Sequence, residues 1–151
     1  MKLADSNIWL ALAISKHVFH AAAHAWFLTE RQAGGVAFCR STQQSFLRLI
    51  TTSAVLRPYG NPPLTNAEAW ALYEGFLTDA RISLVVAEPP GLERAWRTLA
   101  AQGTSSPKLW MDAYLAAFGI AGGHQLVTTD ASFQRYDGLD VLVLGEPPAG
   151  P

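Results

Sequence analysis

Short apolar runs alternate along this chain with longer stretches whose apolar residues return every three or four positions. Met1-Lys-Leu-Ala-Asp5 reads as a short buried strand, and Ile8 to Ile14 begins a helix behind it. Ala21, Ala25 and Leu28, with Trp26 and Phe27 alongside, set a helix over His17 to Gln32, stopped by Gly34-Gly35. Gly35-Val-Ala-Phe-Cys39 is a second strand. Thr42 to Thr51 is a helix with Phe46, Leu47 and Ile50 on one side and Ser41 or Thr42 as its cap. Arg57-Pro-Tyr-Gly-Asn-Pro-Pro63 reads as loop. Thr65-Asn-Ala-Glu68 has the form of a capping box and opens a helix to about Ala80.

The second half repeats the alternation. Arg81 to Val86 is a third strand, and Glu88-Pro-Pro-Gly91 turns into a helix through Gln102. After the loop Gly103 to Pro107, a helix covers Lys108 to Ile120, with Pro107 at its first position and Gly122-Gly123 ending it. Gln125 to Asp130 is a fourth strand, Ser132 to Arg135 a helical turn, Leu139 to Leu144 a last strand, and Gly145 to Pro151 a tail. Strands separated by helices imply an α/β fold, a mostly parallel sheet of about five strands with helices on both faces. Residues 1–151 read as one domain without a linker.

Composition narrows the function. Half of the 151 residues are apolar, 15% are charged and the net charge is −1, which excludes a strongly basic nucleic-acid binder by bulk charge but not a local basic patch. Cys39 is a single cysteine, so no internal disulfide forms. Met1 to Leu10 is too short for a signal peptide and carries Asp5 within it, and no apolar run is long enough to span a membrane. The expectation is a soluble cytoplasmic protein.

Candidate chemistry lies in three acids. Leu3-Ala-Asp5 and Thr128-Thr-Asp130 both end strands, and parallel strands put such ends on one edge, where open α/β sheets bind ligands. Asp112 sits near the start of an otherwise apolar helix, Trp110 to Phe118. A carboxylate there is costly unless paired or bound to a cation, although the helix dipole also favours it. Asp5 equally suits the helix cap that follows it. Three carboxylates with no nearby cysteine form a hard-oxygen set, suited to Mg²⁺ or Mn²⁺ and to metal-assisted phosphodiester hydrolysis. No Walker-type phosphate loop is present.

The order Asp5-Ser-Asn7, Asp112-Ala-Tyr-Leu-Ala and Thr128-Thr-Asp130-x-x-Phe133 resembles a PIN domain, and the chain as a whole is similar to the VapC toxins of bacterial toxin–antitoxin pairs. The likeness also takes in His17-x-x-His20-x-x-x-His24-x-Trp26 and Cys39-Arg-x-Thr42-Gln-x-x-Phe46-Leu-Arg48-Leu. It implies a three-layer α/β/α fold and a Mg²⁺- or Mn²⁺-dependent endoribonuclease, homodimeric and held inactive by a VapB-like antitoxin. Its catalytic and metal-binding residues would be Asp5, Asp112 and Asp130. The family also places a glutamate on the helix after the second strand. Here Gln43 to Phe46 contains no carboxylate; Ser45 stands nearest, with Gln44 beside it, and either could act through water.

Ser6, Asn7 and Thr129 flank the acids as substrate or supporting contacts, or as caps and turns. Arg40, Arg48 and Lys108 are the cations nearest the expected edge and could meet phosphates. His17, His20 and His24 fall on one helical face and suit packing or an interface better than a metal. Trp9, Trp26, Trp70, Trp96 and Trp110 read as core or dimer residues. Glu74, Asp79, Asp137 and Asp140 read as solvated, with Asp137 a reserve ligand. The alternative to a nuclease is a catalytically weak PIN-like module that binds RNA or protein, supported by the absent glutamate. A phosphoacceptor receiver or haloacid-type phosphatase is disfavoured: Ile82 to Val86 ends without an acceptor Asp, Asp5-Ser-Asn7 is not Asp-x-Asp, and no lysine follows a late strand.

Overall fold

The computed structural model describes residues 1–145. Five strands, β1 (Lys2–Ala4), β2 (Val36–Cys39), β3 (Ile82–Val85), β4 (Gln125–Thr128) and β5 (Val141–Val143), form one sheet in the order β3-β2-β1-β4-β5. Every pairing is parallel, with Leu3 opposite Ala37 on one side and Leu126 on the other. β1 is therefore central, and the chain end that follows it opens at the middle of the sheet edge.

Side chains alternate across a strand, and this alternation splits the core in two. Ala4, Val36, Phe38 and Val127 face one layer, packed under α1 (Ser6–Ala13), α2 (His20–Thr29), α3 (Arg40–Ile50), α4 (Ser53–Leu56) and α5 (Asn66–Leu77). Leu3, Cys39 and Leu126 face the other, under α6 (Leu92–Ala100) and α7 (Leu109–Gly122). The result is the three-layer α/β/α arrangement expected from the alternating pattern. In the first layer Trp9 stacks on Phe38 with ring centroids 3.7 Å apart, and its indole Nε1–H donates to Ala4 O at 3.0 Å. Both side chains are fully buried. Burial on that scale stabilises by about 2–3 kcal/mol for a phenylalanine, and the indole bond ties α1 directly to the strand that precedes it.

Several boundaries differ from the sequence expectation for local reasons. α2 starts at His20, so His17 lies before it in a turn, where its Nδ1 accepts from Phe19 N–H and its ring stacks on Tyr59. The three histidines therefore do not share a helical face. The cap of α3 is Cys39; Thr42 is the third helical residue and its hydroxyl accepts from Cys39 N–H at 3.0 Å. The stretch expected as loop begins with helical turns, α4 and a 3₁₀ turn over Arg57–Tyr59, because Pro58 sits in a first turn, where its missing N–H goes unused. α5 ends at Leu77 and α6 at Ala100, each a turn or less before the expected end. α7 begins at Leu109 with Lys108 as its cap, leaving Pro107 outside. Gly123 closes it at φ 61°, a left-handed conformation that glycine adopts without strain. Most of the proposed tail, residues 146–151, lies outside the described residues.

Candidate metal centre

Asp5 leaves β1 in an extended conformation and caps α1, its Oδ1 accepting from Ser6 N–H at 2.6 Å and from Ser6 Oγ at 3.2 Å. Its Oδ2 accepts from Asn7 Nδ2 at 2.8 Å and from Thr128 Oγ1 at 2.8 Å. The cap and the site readings thus coincide in one side chain. Thr128, the last residue of β4, is fully buried. Its hydroxyl also accepts from Asn7 Nδ2 at 3.0 Å and from Asp130 N–H at 3.1 Å, while Asn7 Oδ1 accepts from Thr129 N–H at 3.2 Å. The ends of β1 and β4 are therefore laced together by side chains as well as by the sheet. Thr128 was not singled out from sequence; a hydroxyl two residues before a strand-end acid, one strand away from another acid, is the signal that points to it.

Asp112 lies in the first turn of α7. It shares a cleft of about 430 Å³ with Asp5. Ser6 and, from α3, Ser41, Thr42, Gln44, Ser45, Arg48 and Leu49 complete one wall; Met111, Leu115 and Phe133 give the other an apolar lining. Burial pushes the Asp5 carboxyl up, opposed by the bonds from Thr128 and Ser6, and repulsion from Asp112 pushes it further up. Asp112 is also pushed up, first by desolvation and then by Asp130, with the Arg135 guanidinium opposing. Two carboxylates raised chiefly by burial, with like charge adding to it, mark the cleft as a candidate functional site.

Asp130 stands at the same sheet edge and within electrostatic reach of Asp112, but it is exposed and outside the cleft wall. It caps the 3₁₀ turn Ala131–Arg135, its Oδ1 accepting from Ser132 N–H at 2.8 Å. Among the described residues, no three His, Cys, Asp or Glu side chains gather closely enough to enclose one ion together. What the cleft offers instead is two carboxylates with the hydroxyl and amide oxygens of Ser45 and Gln44 facing them. That donor set suits a hard divalent cation that keeps much of its water and takes one or two carboxylates. It does not suit structural zinc, whose closed four-coordinate sites are built from cysteine and histidine.

Of the other residues expected near the edge, Arg48 and Ser6 line the cleft, whereas Arg40 and Lys108 do not; Arg40 donates to the buried Gln43 amide instead. Asn7 and Thr129 are tied into the acid frame described above. Asp137 lines a separate depression with Arg94 and Thr98, which removes it as a reserve ligand. Asp79 pairs with Arg81 and Asp140 accepts from Gln125 Nε2. Trp9 and Trp26 are buried, while Trp70 and Trp110 are about half exposed. His20 and His24 pack ring against ring on α2, away from the cleft. Among the described residues no helix is long and apolar enough to cross a membrane.

Comparison with known proteins places this geometry. The PIN domain family model matches residues 2–139. The chain is 56% identical over 146 residues to ribonuclease VapC41 of Mycobacterium tuberculosis, covering 97% of this chain and all of that protein. It is 31% identical over 140 residues to ribonuclease VapC33 of the same organism, covering 92% of this chain and 94% of that protein. In fold it resembles the crystal structure of VapBC2 from Rickettsia felis bound to a promoter DNA fragment, with a TM-score of 0.65 and 16% identity over 95% of this chain and 98% of the other. It also resembles VapC20 of M. tuberculosis, a Sarcin-Ricin loop cleaving toxin, with a TM-score of 0.60 and 19% identity over 93% and 98%. By the match of its family model over nearly all of its length and by its likeness to these relatives, the chain belongs to the PIN domain family, among the VapC-type proteins.

Proposed function

We propose that this protein is the toxin of a toxin–antitoxin pair, an endoribonuclease that hydrolyses RNA phosphodiester bonds in the cleft between Asp5 and Asp112. The observation that carries this reading is the meeting of those two carboxylates, 107 positions apart in the chain by their numbers, in one polar cleft of a VapC-type protein. The ribonuclease names of its relatives support the same activity.

Asp5 and Asp112 would hold Mg²⁺ or Mn²⁺, with Asp130 adding negative field from the rim and Ser45 or Gln44 reaching the ion through water. Such an ion supplies water activation and charge neutralisation at phosphorus. The chain does the rest. The four bonds on Asp5 hold its carboxylate in one orientation before substrate arrives. Leu115 and Phe133 give the cleft an apolar lining beside Asp112. Arg48, exposed on α3, offers a cation to the incoming strand. The partners that follow are RNA, a VapB-like antitoxin that covers the cleft, and a second copy of the chain, all in the cytoplasm where the RNA is.

A second reading, a catalytically weak module that binds RNA or protein, draws on the lack of a carboxylate on the α3 wall and on the absence of a three-acid group among the described residues. RNA cleavage with and without Mn²⁺, for wild type and Asp112→Ala, separates the two. A nuclease cleaves only with the metal and only with Asp112. Metal-independent behaviour that is identical in the two proteins refutes the nuclease reading.

A further inference from the structure

Arg135 sets a further cation beside Asp112. Arg135 ends the 3₁₀ turn that Asp130 caps, and its Nη2 lies 3.7 Å from Asp112 Oδ2. That separation is an ion pair but exceeds hydrogen-bond length. The same Nη2 donates to Tyr136 Oη at 2.9 Å, and the guanidinium carbon lies 4.8 Å from the Tyr136 ring centroid. Tyr136 is itself buried and packs beside Phe133, which lines the cleft. The guanidinium is thus held on a buried aromatic ring beside Asp112 while its side chain stays half exposed.

Stability does not account for this arrangement, since an ion pair so open to water contributes little. Phosphate recognition does. A guanidinium carries five N–H donors in a planar fork. Among the described residues, Arg135 makes one hydrogen bond from its side chain, to Tyr136. Its side chain is half exposed beside Asp112, where a polyanion approaching Asp5, Asp112 and Asp130 meets strong repulsion unless cations flank them. Arg48 of α3 lines the cleft itself, and Arg135 adds a second cation next to Asp112.

We infer that Arg135 is a positioning residue that binds a backbone phosphate of the RNA strand beside the acid cleft and so sets the register of the scissile bond. The inference rests on the proposed nuclease function. Tyr136 acts through Arg135 by fixing the plane of the fork, and the loose contact with Asp112 keeps the fork near the acids without using up its donors.

The test uses the full-length chain and a fluorescein-labelled single-stranded RNA of mixed sequence. Binding is followed by anisotropy in EDTA, over a range of salt, so that no turnover is needed. Arg135→Gln is expected to bind roughly tenfold more weakly, as for loss of one charge-assisted contact, with a salt slope shallower by roughly 0.7. Arg135→Lys should recover the slope but not all of the affinity, because a point charge lacks the fork. Tyr136→Phe should weaken binding with the slope unchanged. Calorimetric Mn²⁺ binding without RNA should be equal or tighter in Arg135→Gln. Folded Arg135→Gln or Arg135→Lys with wild-type RNA affinity and salt slope overturns the inference, and tighter Mn²⁺ binding with that same RNA result assigns Arg135 to charge balance alone. If the wild type cleaves no RNA under any metal, the proposed function fails, whereas the EDTA comparison still decides the role of Arg135.

Discussion

The two cleft acids should differ sharply in what their removal does to the fold. Asp5 accepts four hydrogen bonds, including one from a fully buried hydroxyl and the cap of α1. Asp5→Ala loses the cap, at about 1 kcal/mol. It also strands the Thr128 hydroxyl proton in the interior, at about 1–3 kcal/mol. Asn7 Nδ2 keeps its second acceptor, Thr128 Oγ1, so it adds little. Removing a carboxylate that burial disfavours offsets part of this. The expected net loss is about 2–3 kcal/mol, or roughly 4–12 °C in Tm for a chain of this size. Asp112 accepts no side-chain bond that its loss would strand; its ion pair with Arg135 is long and half exposed. Asp112→Ala forfeits a favourable helix-dipole position, about 0.3–1 kcal/mol, and gains relief from Asp5 and Asp130, so the change should stay within about 0.5 kcal/mol. Thermal and urea unfolding in EDTA at neutral pH measures both, and RNA cleavage should be lost in both. Equal destabilisation by the two substitutions, or an Asp5→Ala protein as stable as wild type, would refute the claim that Asp5 is frame and site at once.

Two further outcomes follow from particular contacts. Ser45→Glu puts a carboxylate on the α3 wall that faces Asp5 and Asp112; because charge count tunes cation affinity, the Mn²⁺ concentration for half-maximal cleavage should fall several-fold, and an unchanged metal demand removes Ser45 from the ion's surroundings. Hydrogen bonds from the Arg81 side chain and backbone hold the Asp79 carboxyl down at about 2. A depressed carboxyl contributes stability that is present above the unfolded value of 3.8 and lost as pH falls towards 2. The Tm of wild type should therefore exceed that of Asp79→Asn at pH 5 and converge with it near pH 2, the gap at pH 5 reflecting less than about 1 kcal/mol of stability because the pair is partly exposed; parallel Tm curves would show that the ion pair carries no linkage.

The sheet was legible because each strand is a short apolar run and each connection carries helical spacing, so parallel order and a shared edge for Asp5 and Asp130 follow from alternation alone. Asp112 was legible because a carboxylate is conspicuous among Trp110, Met111, Ala113 and Leu115. The helix starts were less so. Cys39 caps α3 where a hydroxyl was expected, since Thr42 reaches back to it from the third position. His17 kept the helical spacing of His20 and His24 yet turns outside α2. Arg135 and Thr128 carry no linear signal of comparable strength: one matters through an aromatic shelf formed by Tyr136, the other through partners 121 and 123 positions away. Whether Asp130 enters the cleft wall or stays at its rim depends on the turn it caps, and a strand ending gives only its neighbourhood.

The lacing of Asp5, Asn7 and Thr128 across two neighbouring strands has a consequence for control. Each of these contacts joins residues of one chain, so the fold that pairs β1 with β4 also orients the Asp5 carboxylate. On the proposed nuclease reading, folding alone sets the carboxylate of Asp5 in place, and the metal is what the cleft still has to take up. On that reading no rearrangement of this frame is left to serve as a switch, and restraint falls to the supply of the ion or to a partner that occupies the opening.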